Sequence, residues 1–114
     1  MLTEKNHAGE FILSEGNGHI SREVITVVTG QADILYPGQV LGKITASGKY
    51  TPYDVNATDG SETAAAVLYD KVDATAADVN AVAIVRLAEL KELVLTDTTQ
   101  AVKDDFAALN LFIR

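Results

Sequence analysis

Apolar residues in this chain come in short runs separated by glycine and Asx turn signals, and only one stretch near the C-terminus carries helical spacing. Ser21 to Thr29 (SREVITVVT) is rich in β-branched residues and stops at Gly30, which predicts a strand. Between Tyr36 and Asp70 lie both prolines and all four tyrosines. Pro37-Gly38 signals a turn, Val40 to Thr45 a short strand, Ser47-Gly48 a reversal with positive φ at Gly48, and Lys49 to Thr51 a return strand. Asp59-Gly60-Ser61 turns the chain again, and Ala64 to Leu68 is an apolar run that predicts a buried element. Ala81 to Ala88 (AVAIVRLA) is the most apolar stretch and predicts a central strand with one charge, Arg86.

The helix follows Asp97. Asp97 stands three residues before Gln100, a capping-box pattern, and Val102, Phe106, Leu109 and Ile113 follow at spacings that make one apolar face. Lys103, Asp104 and Asp105 then turn outward, and Leu111 to Arg114 suits a return to strand. Glu89 to Thr96 fits a helix or a strand, with Leu93-Val94-Leu95 favouring strand at its end. Lys71 to Asn80 is small and polar, which suits a connecting loop or a helical turn started by Thr75 and Asp78. In residues 1–22 a polar, glycine-containing background surrounds one apolar cluster, Phe11-Ile12-Leu13. Such a cluster suits an extended arm that pairs with a sheet edge elsewhere, or an edge strand of the same body. The expected architecture is mainly β: a small compact β-rich domain over 23–114 with one short C-terminal helix, and a flexible, extended N-terminal arm over 1–22.

Composition sharpens this outline. A chain of 114 residues with 47% apolar content makes one domain with a genuine core. It has no cysteine, so disulfides and thiolate metal sites are excluded and stability rests on packing or assembly. The net charge of −7 argues against direct nucleic-acid binding, which depends on cation–phosphate contacts. No segment approaches the roughly 18 consecutive apolar residues of a membrane span, and the first residues lack the apolar stretch of a signal peptide.

Candidate chemistry is sparse. His7 and His19 lie in the polar N-terminal stretch, with Glu10 near but at no metal-ligand spacing, and no nucleophile motif accompanies them. Asp104 and Asp105 are adjacent on a helix and diverge by about 100°, which suits a solvated face better than acid–base work. Asp54 to Gly60 fails the calcium-loop register, because Thr58, Asp59 and Ala65 stand where Asp or Asn, Gly and Glu are required. Ser47-Gly48-Lys49 lacks the frame of a phosphate loop. Neither an enzyme nor a cofactor or metal is expected. Arg86 needs a carboxylate or carbonyl partner, either within the chain as a structural ion pair or across a protomer boundary. Tyr36, Tyr50, Tyr53 and Tyr69 could line the pocket of a small β-rich ligand-binding module, the alternative function.

The order of these motifs resembles the head decoration proteins of tailed bacteriophages, the lambda type included. The likeness rests on Phe11 to Glu15, Ile20 to Glu23, Gly38 to Lys43, Ser47 to Tyr50, the Asp59-Gly60 turn, Ala64 to Leu68 and Val82 to Arg86, and covers nearly the whole chain. One departure is that lambda-type members use tryptophan and many prolines, whereas this chain has no Trp and only Pro37 and Pro52. The resemblance implies a structural protein that trimerises and binds the major capsid protein at three-fold sites outside the expanded head. There it stabilises the shell against DNA pressure. It implies a virion protein made in the host cytoplasm, with neither membrane nor direct nucleic-acid partners. Family members order the N-terminal arm on the capsid by strand pairing. Leu2, Thr3, Glu4, Phe11, Ile12 and Leu13 are the capsid-contact residues expected from that arm; Arg86, Tyr36 and Tyr53 are the residues expected at an interface between protomers, with the ion pair and the core as their alternative places.

Overall fold

The computed structural model of the chain describes residues 7–15 and 20–114, Glu15 by its backbone alone. Leu2, Thr3, Glu4 and His19 lie outside the described residues.

Five strands close into a barrel in the order β2-β4-β3-β5-β6. They are β2 (Arg22–Val27), β3 (Val40–Lys43), β4 (Tyr50–Pro52), β5 (Ala64–Leu68) and β6 (Val79–Ile84). The longest pairing is antiparallel, β2 with β6, from Arg22 opposite Ile84 to Val27 opposite Val79. The ring closes through one parallel contact, Val27 opposite Tyr50. A second sheet of three strands, ordered β1-β7-β8, joins β1 (Ile12–Glu15), β7 (Ala88–Leu90) and β8 (Leu111–Ile113). Helix α1 (Gln100–Ala107) leads into β8 and packs against β5 and β8. The chain is mainly β with one short C-terminal α-helix, as its apolar pattern predicts.

The continuous apolar runs follow from two cores that share a wall. Ile25, Val27, Leu41, Tyr50, Ala66, Leu68, Ala81 and Ala83 fill the barrel. Val40, Ala64, Val67 and Ile84 point from the same strands to the other side, where Phe11, Leu90, Val102, Phe106 and Leu111 cover them. Side chains alternate across a strand, so one buried on both faces must be apolar at every position. That explains AAAVL in β5 and the end of β6.

The predicted strand over 81–88 is shorter than expected. It ends at Ile84; Leu87 takes φ 56, in the left-handed region, and the chain leaves the barrel to start β7 at Ala88. An L-residue there cannot continue a strand. Leu93-Val94-Leu95 is not a strand either. Glu92–Val94 form one 3-10 turn after β7, and Leu93 is 98% exposed, so the strand of this stretch lies at its start. The capping box is also absent: Thr99 is the N-cap, and Asp97 Oδ1 accepts the Thr99 N–H at 3.0 Å, shaping the turn before the helix. Lys71 to Asn80 holds no helical turn. Asp78 instead accepts the Thr29 N–H at 2.7 Å and pairs with Lys49 at 2.6 Å, tying the loop to one end of the barrel.

Candidate interaction surface

Closing the barrel consumes the edges of its strands, so among the described residues the unpaired edges are those of β1 and β8, the flanks of the small sheet. The inner face of that sheet carries Ile12, Ala88, Leu90, Leu111 and Ile113 onto the second core. Its outer face carries Ser14, Glu89 and Phe112, since Ser14 and Phe112 both stand opposite Glu89 in register. A bulge falls between Ile12 and Ser14, and Leu13 within it is 48% exposed.

One hydrogen-bonded row crosses this outer face. Ser14 Oγ donates to Glu89 Oε1 at 2.9 Å, and Arg114 Nε donates to Glu89 Oε2 at 2.8 Å. The Ser14 hydroxyl and then the Arg114 guanidinium hold the Glu89 carboxyl below its usual range, against a small desolvation penalty. Arg114 also lies 5.8 Å from the Phe112 ring centroid, within cation–π range. The row thus neutralises its own charge and leaves apolar side chains around it.

Those side chains border a groove of about 550 Å³ in which Ile20, Leu87 and Phe112 face Ser14, Glu89 and Arg114. Ile20, Leu87 and Phe112 are 50%, 41% and 43% exposed. Leu87 is held here in its left-handed conformation, a strain of about 1–2 kcal/mol for a residue with a Cβ. Asn110, beside it in the groove, shares the conformation (φ 59), and its carbonyl accepts the Ala88 N–H at 3.3 Å. Asn enters this region more readily than leucine, so of the two it is Leu87 that carries the larger local cost. A second surface outside the barrel joins exposed Val24 to its cross-strand partner Val82 and to Tyr69, over which Arg22 stacks at 4.3 Å.

The residues singled out in the sequence scatter over the molecule. Phe11, expected as a contact residue, is fully buried in the second core, and its carbonyl accepts the Lys91 N–H at 2.7 Å. A benzyl side chain gains more under α1 than in water, so it anchors β1 to the body. Ile12 is half-buried beside it, which leaves Leu13 as the exposed member of that trio. Arg86 does find a carboxylate, Glu23 at 2.8 Å, and its Nη1 donates to the Ile20 carbonyl at 2.5 Å, but the pair is exposed, not buried. Tyr36 sits half-buried in the turn before β3, and Tyr53 half-buried after β4, where its N–H donates to the Val40 carbonyl at 2.9 Å. Burial pushes the Tyr53 phenol up, helped by Asp97, Asp105 and Asp54. Tyr50 lies inside the barrel while Tyr53 and Tyr69 pack on the other side of its wall, so the four tyrosines do not line one pocket.

The remaining motifs are structural. Asp54 Oδ1 accepts the Asn56 N–H at 2.9 Å, an Asx turn, and Asp59 Oδ1 holds both the Ser61 hydroxyl at 2.6 Å and the Ser61 N–H at 3.0 Å. Asp104 accepts from Gln100, whereas Asp105, expected to turn outward, reaches inward to the Ala64 N–H at 2.9 Å and pins α1 to β5. His7 donates its N–H to Glu10, and among the described residues no cluster of three His, Asp or Glu side chains could hold a metal. What the sequence did not signal is the Ser14–Glu89–Arg114 row, because its members meet only when β7 pairs with strands from both ends of the chain.

No curated protein matches the chain. The family model described as bacteriophage lambda head decoration protein D matches residues 1–112.

Proposed function

The chain belongs to the bacteriophage lambda head decoration protein family, and from this premise we propose how it cements a phage head. It binds the major capsid protein outside the expanded shell, as a trimer at three-fold and quasi-three-fold sites, and stabilises the shell against the pressure of packaged DNA. The family match over nearly the whole chain carries this proposal. The fold is consistent with it, since a closed barrel backed by a second core is a stiff body, and its open strand edges lie in the sheet nearest the N-terminus.

Phe11 belongs to the core, so the proposed contact residues are Leu2, Thr3 and Glu4 together with the exposed Leu13. Residues 2–6 remain for pairing with a coat-protein edge, led by Leu2, Thr3 and Glu4. These five residues, fully extended, span about 17 Å. One such segment binds weakly, because ordering its backbone costs about 1–2 kcal/mol per residue. Three segments on one body act at high effective concentration, which raises avidity by ~10² to 10⁴. An expanded shell that spaces three acceptor edges correctly is therefore selected over an unexpanded one. Arg86, Tyr36 and Tyr53 stay the proposed contacts between protomers.

The test is co-sedimentation with expanded and unexpanded capsids. The full chain pellets with the expanded form only, and a chain lacking residues 2–6 keeps its melting temperature but stays in the supernatant. Undiminished binding by the shortened chain would sink the arm mechanism.

A further inference from the structure

We propose that the turn at residues 7–10, seated on Tyr69, is a latch that sets where the N-terminal arm leaves the body, so that Gly9 and Tyr69 are positioning residues for capsid binding. This rests on the arm mechanism proposed above and names what fixes the origin of the arm.

Residues 7–10 form a turn closed on itself. The Glu10 N–H donates to the His7 carbonyl at 3.1 Å, and the Glu10 carboxylate accepts the His7 N–H at 2.9 Å. Gly9 stands third in the turn with φ 71, the sign that a type II turn requires at that position. The turn runs on into β1, because the Ile12 N–H donates to the Gly9 carbonyl at 3.1 Å. Its seat is Tyr69. The Gly9 N–H donates to the Tyr69 carbonyl at 3.3 Å, and a Cβ at position 9 would stand 3.1 Å from the Tyr69 ring. Tyr69 is itself held in place: it follows β5 directly, its N–H donates to the Val82 carbonyl at 3.0 Å, and Arg22 stacks over its ring at 4.3 Å.

The seat fixes a direction more than it supports the fold. Phe11 already anchors this segment in the second core, and His7, Ala8 and Glu10 are exposed, so little burial is lost if the turn lets go. With Phe11 as the sole anchor, the residues before it would swing about that point. Gly9 on Tyr69 supplies a second attachment two residues upstream, and two attachments set the line along which the chain leaves. Each arm after the first binds at an effective concentration that depends on how far its tether can wander, so a latched origin raises it and a released one lowers it. Glycine suits the position, since it takes positive φ without steric cost and lets the backbone lie against a ring.

The experiment compares Gly9→Val, Tyr69→Leu and Tyr69→Phe in the full chain, read by backbone NMR order parameters at residues 7–10 and by co-sedimentation with expanded capsids. Valine is strongly disfavoured at positive φ and meets the ring, so the turn lifts off; leucine removes the ring and phenylalanine keeps it. Wild type and Tyr69→Phe are expected to show order parameters of about 0.85 over residues 7–10, and Gly9→Val and Tyr69→Leu values below about 0.6. The two loosened variants bind expanded capsids at least about fivefold more weakly, and Gly9→Val does so at the wild-type melting temperature. Loose residues 7–10 with wild-type affinity overturn the latch and leave the arm mechanism standing. Loose residues 7–10 in the wild-type chain, or a rigid turn in both Gly9→Val and Tyr69→Leu, overturn it as well. So does weak binding by Tyr69→Phe, since the hydroxyl is then the contact. A wild-type chain that binds no capsid overturns the latch together with the function beneath it.

Discussion

Gly42 shows how a single residue can be required for reasons far from its neighbours in sequence. A Cβ placed there meets the Ser61 carbonyl oxygen at 2.4 Å and the Ser61 Cα at 2.6 Å. These are backbone atoms, and they are held in place by the Asp59 carboxylate, which accepts both the Ser61 N–H and its hydroxyl. The strand therefore has no room to yield. Gly42→Ala is expected to cost about 1–3 kcal/mol, as overpacking does, read as a lower urea midpoint at unchanged slope. The pairing of β3 with β5 shifts register between Leu41 and Gly42, and a variant as stable as wild type would show that this irregularity absorbs the methyl. The Asp59-Gly60 turn was legible in the sequence because its signal is local. The need for glycine at 42 was not, since the clash comes from a loop that only the fold brings there. Leu87 is the sharper case: nothing in AVAIVRLA announces a left-handed residue.

At the scale of elements, α1 does more than its eight residues suggest. Val102 and Phe106 are fully buried, and Asp105 fastens the helix to the Ala64 N–H, so the helix lids the outer wall of the barrel. Phe106→Ala should cost about 3–5 kcal/mol, since the cavity would open between α1, β5 and β8. The expected result is a drop in melting temperature with most strand signal in circular dichroism retained below the transition. A loss under 1 kcal/mol would mean that the second core is not integral to the body. The helical spacing of Val102 and Phe106 was readable because it repeats within about one turn; the continuation to Leu109 and Ile113 was not helical, since α1 ends at Ala107, Leu109 lies in the following turn and Ile113 in β8. The parallel pairing of β7 with β8 was not, because parallel strands are joined by long connections and their partner leaves no mark in either segment.

For the whole molecule, the carboxylates set the acid limit of stability. Glu89, Asp59, Asp73 and Asp78 all sit below their ordinary values of 4.5 and 3.8, each chiefly through a side-chain hydrogen bond, from Ser14, Ser61, Thr75 and Lys49 respectively. A depressed folded value means that stability is fully present above the unfolded value and is lost as pH falls through the folded one. Tyr50 and Tyr53 lie above 10.0, Tyr50 through burial first and then Glu23, so their contribution is present below pH 10 and is lost as pH rises through the raised values. Melting temperature should form a plateau from about pH 5 to 10 and fall on both sides. These carboxylates are at the surface, so each slope is shallow. A steep decline between pH 7 and 5 would contradict this assignment.

By itself the sequence determined the fold class, most strand positions, the helix and its buried face, and the likeness to the head decoration family. Those features depend on spacing between near neighbours and on turn chemistry, which a linear pattern records. Tertiary structure alone decided that Phe11 is a core anchor, that β6 ends at Ile84 ahead of the left-handed Leu87, that Asp105 points inward and that Ser14, Glu89 and Arg114 form one row. In each case the energy comes from groups distant along the chain, brought together by closure of the barrel and by a sheet that joins its two ends.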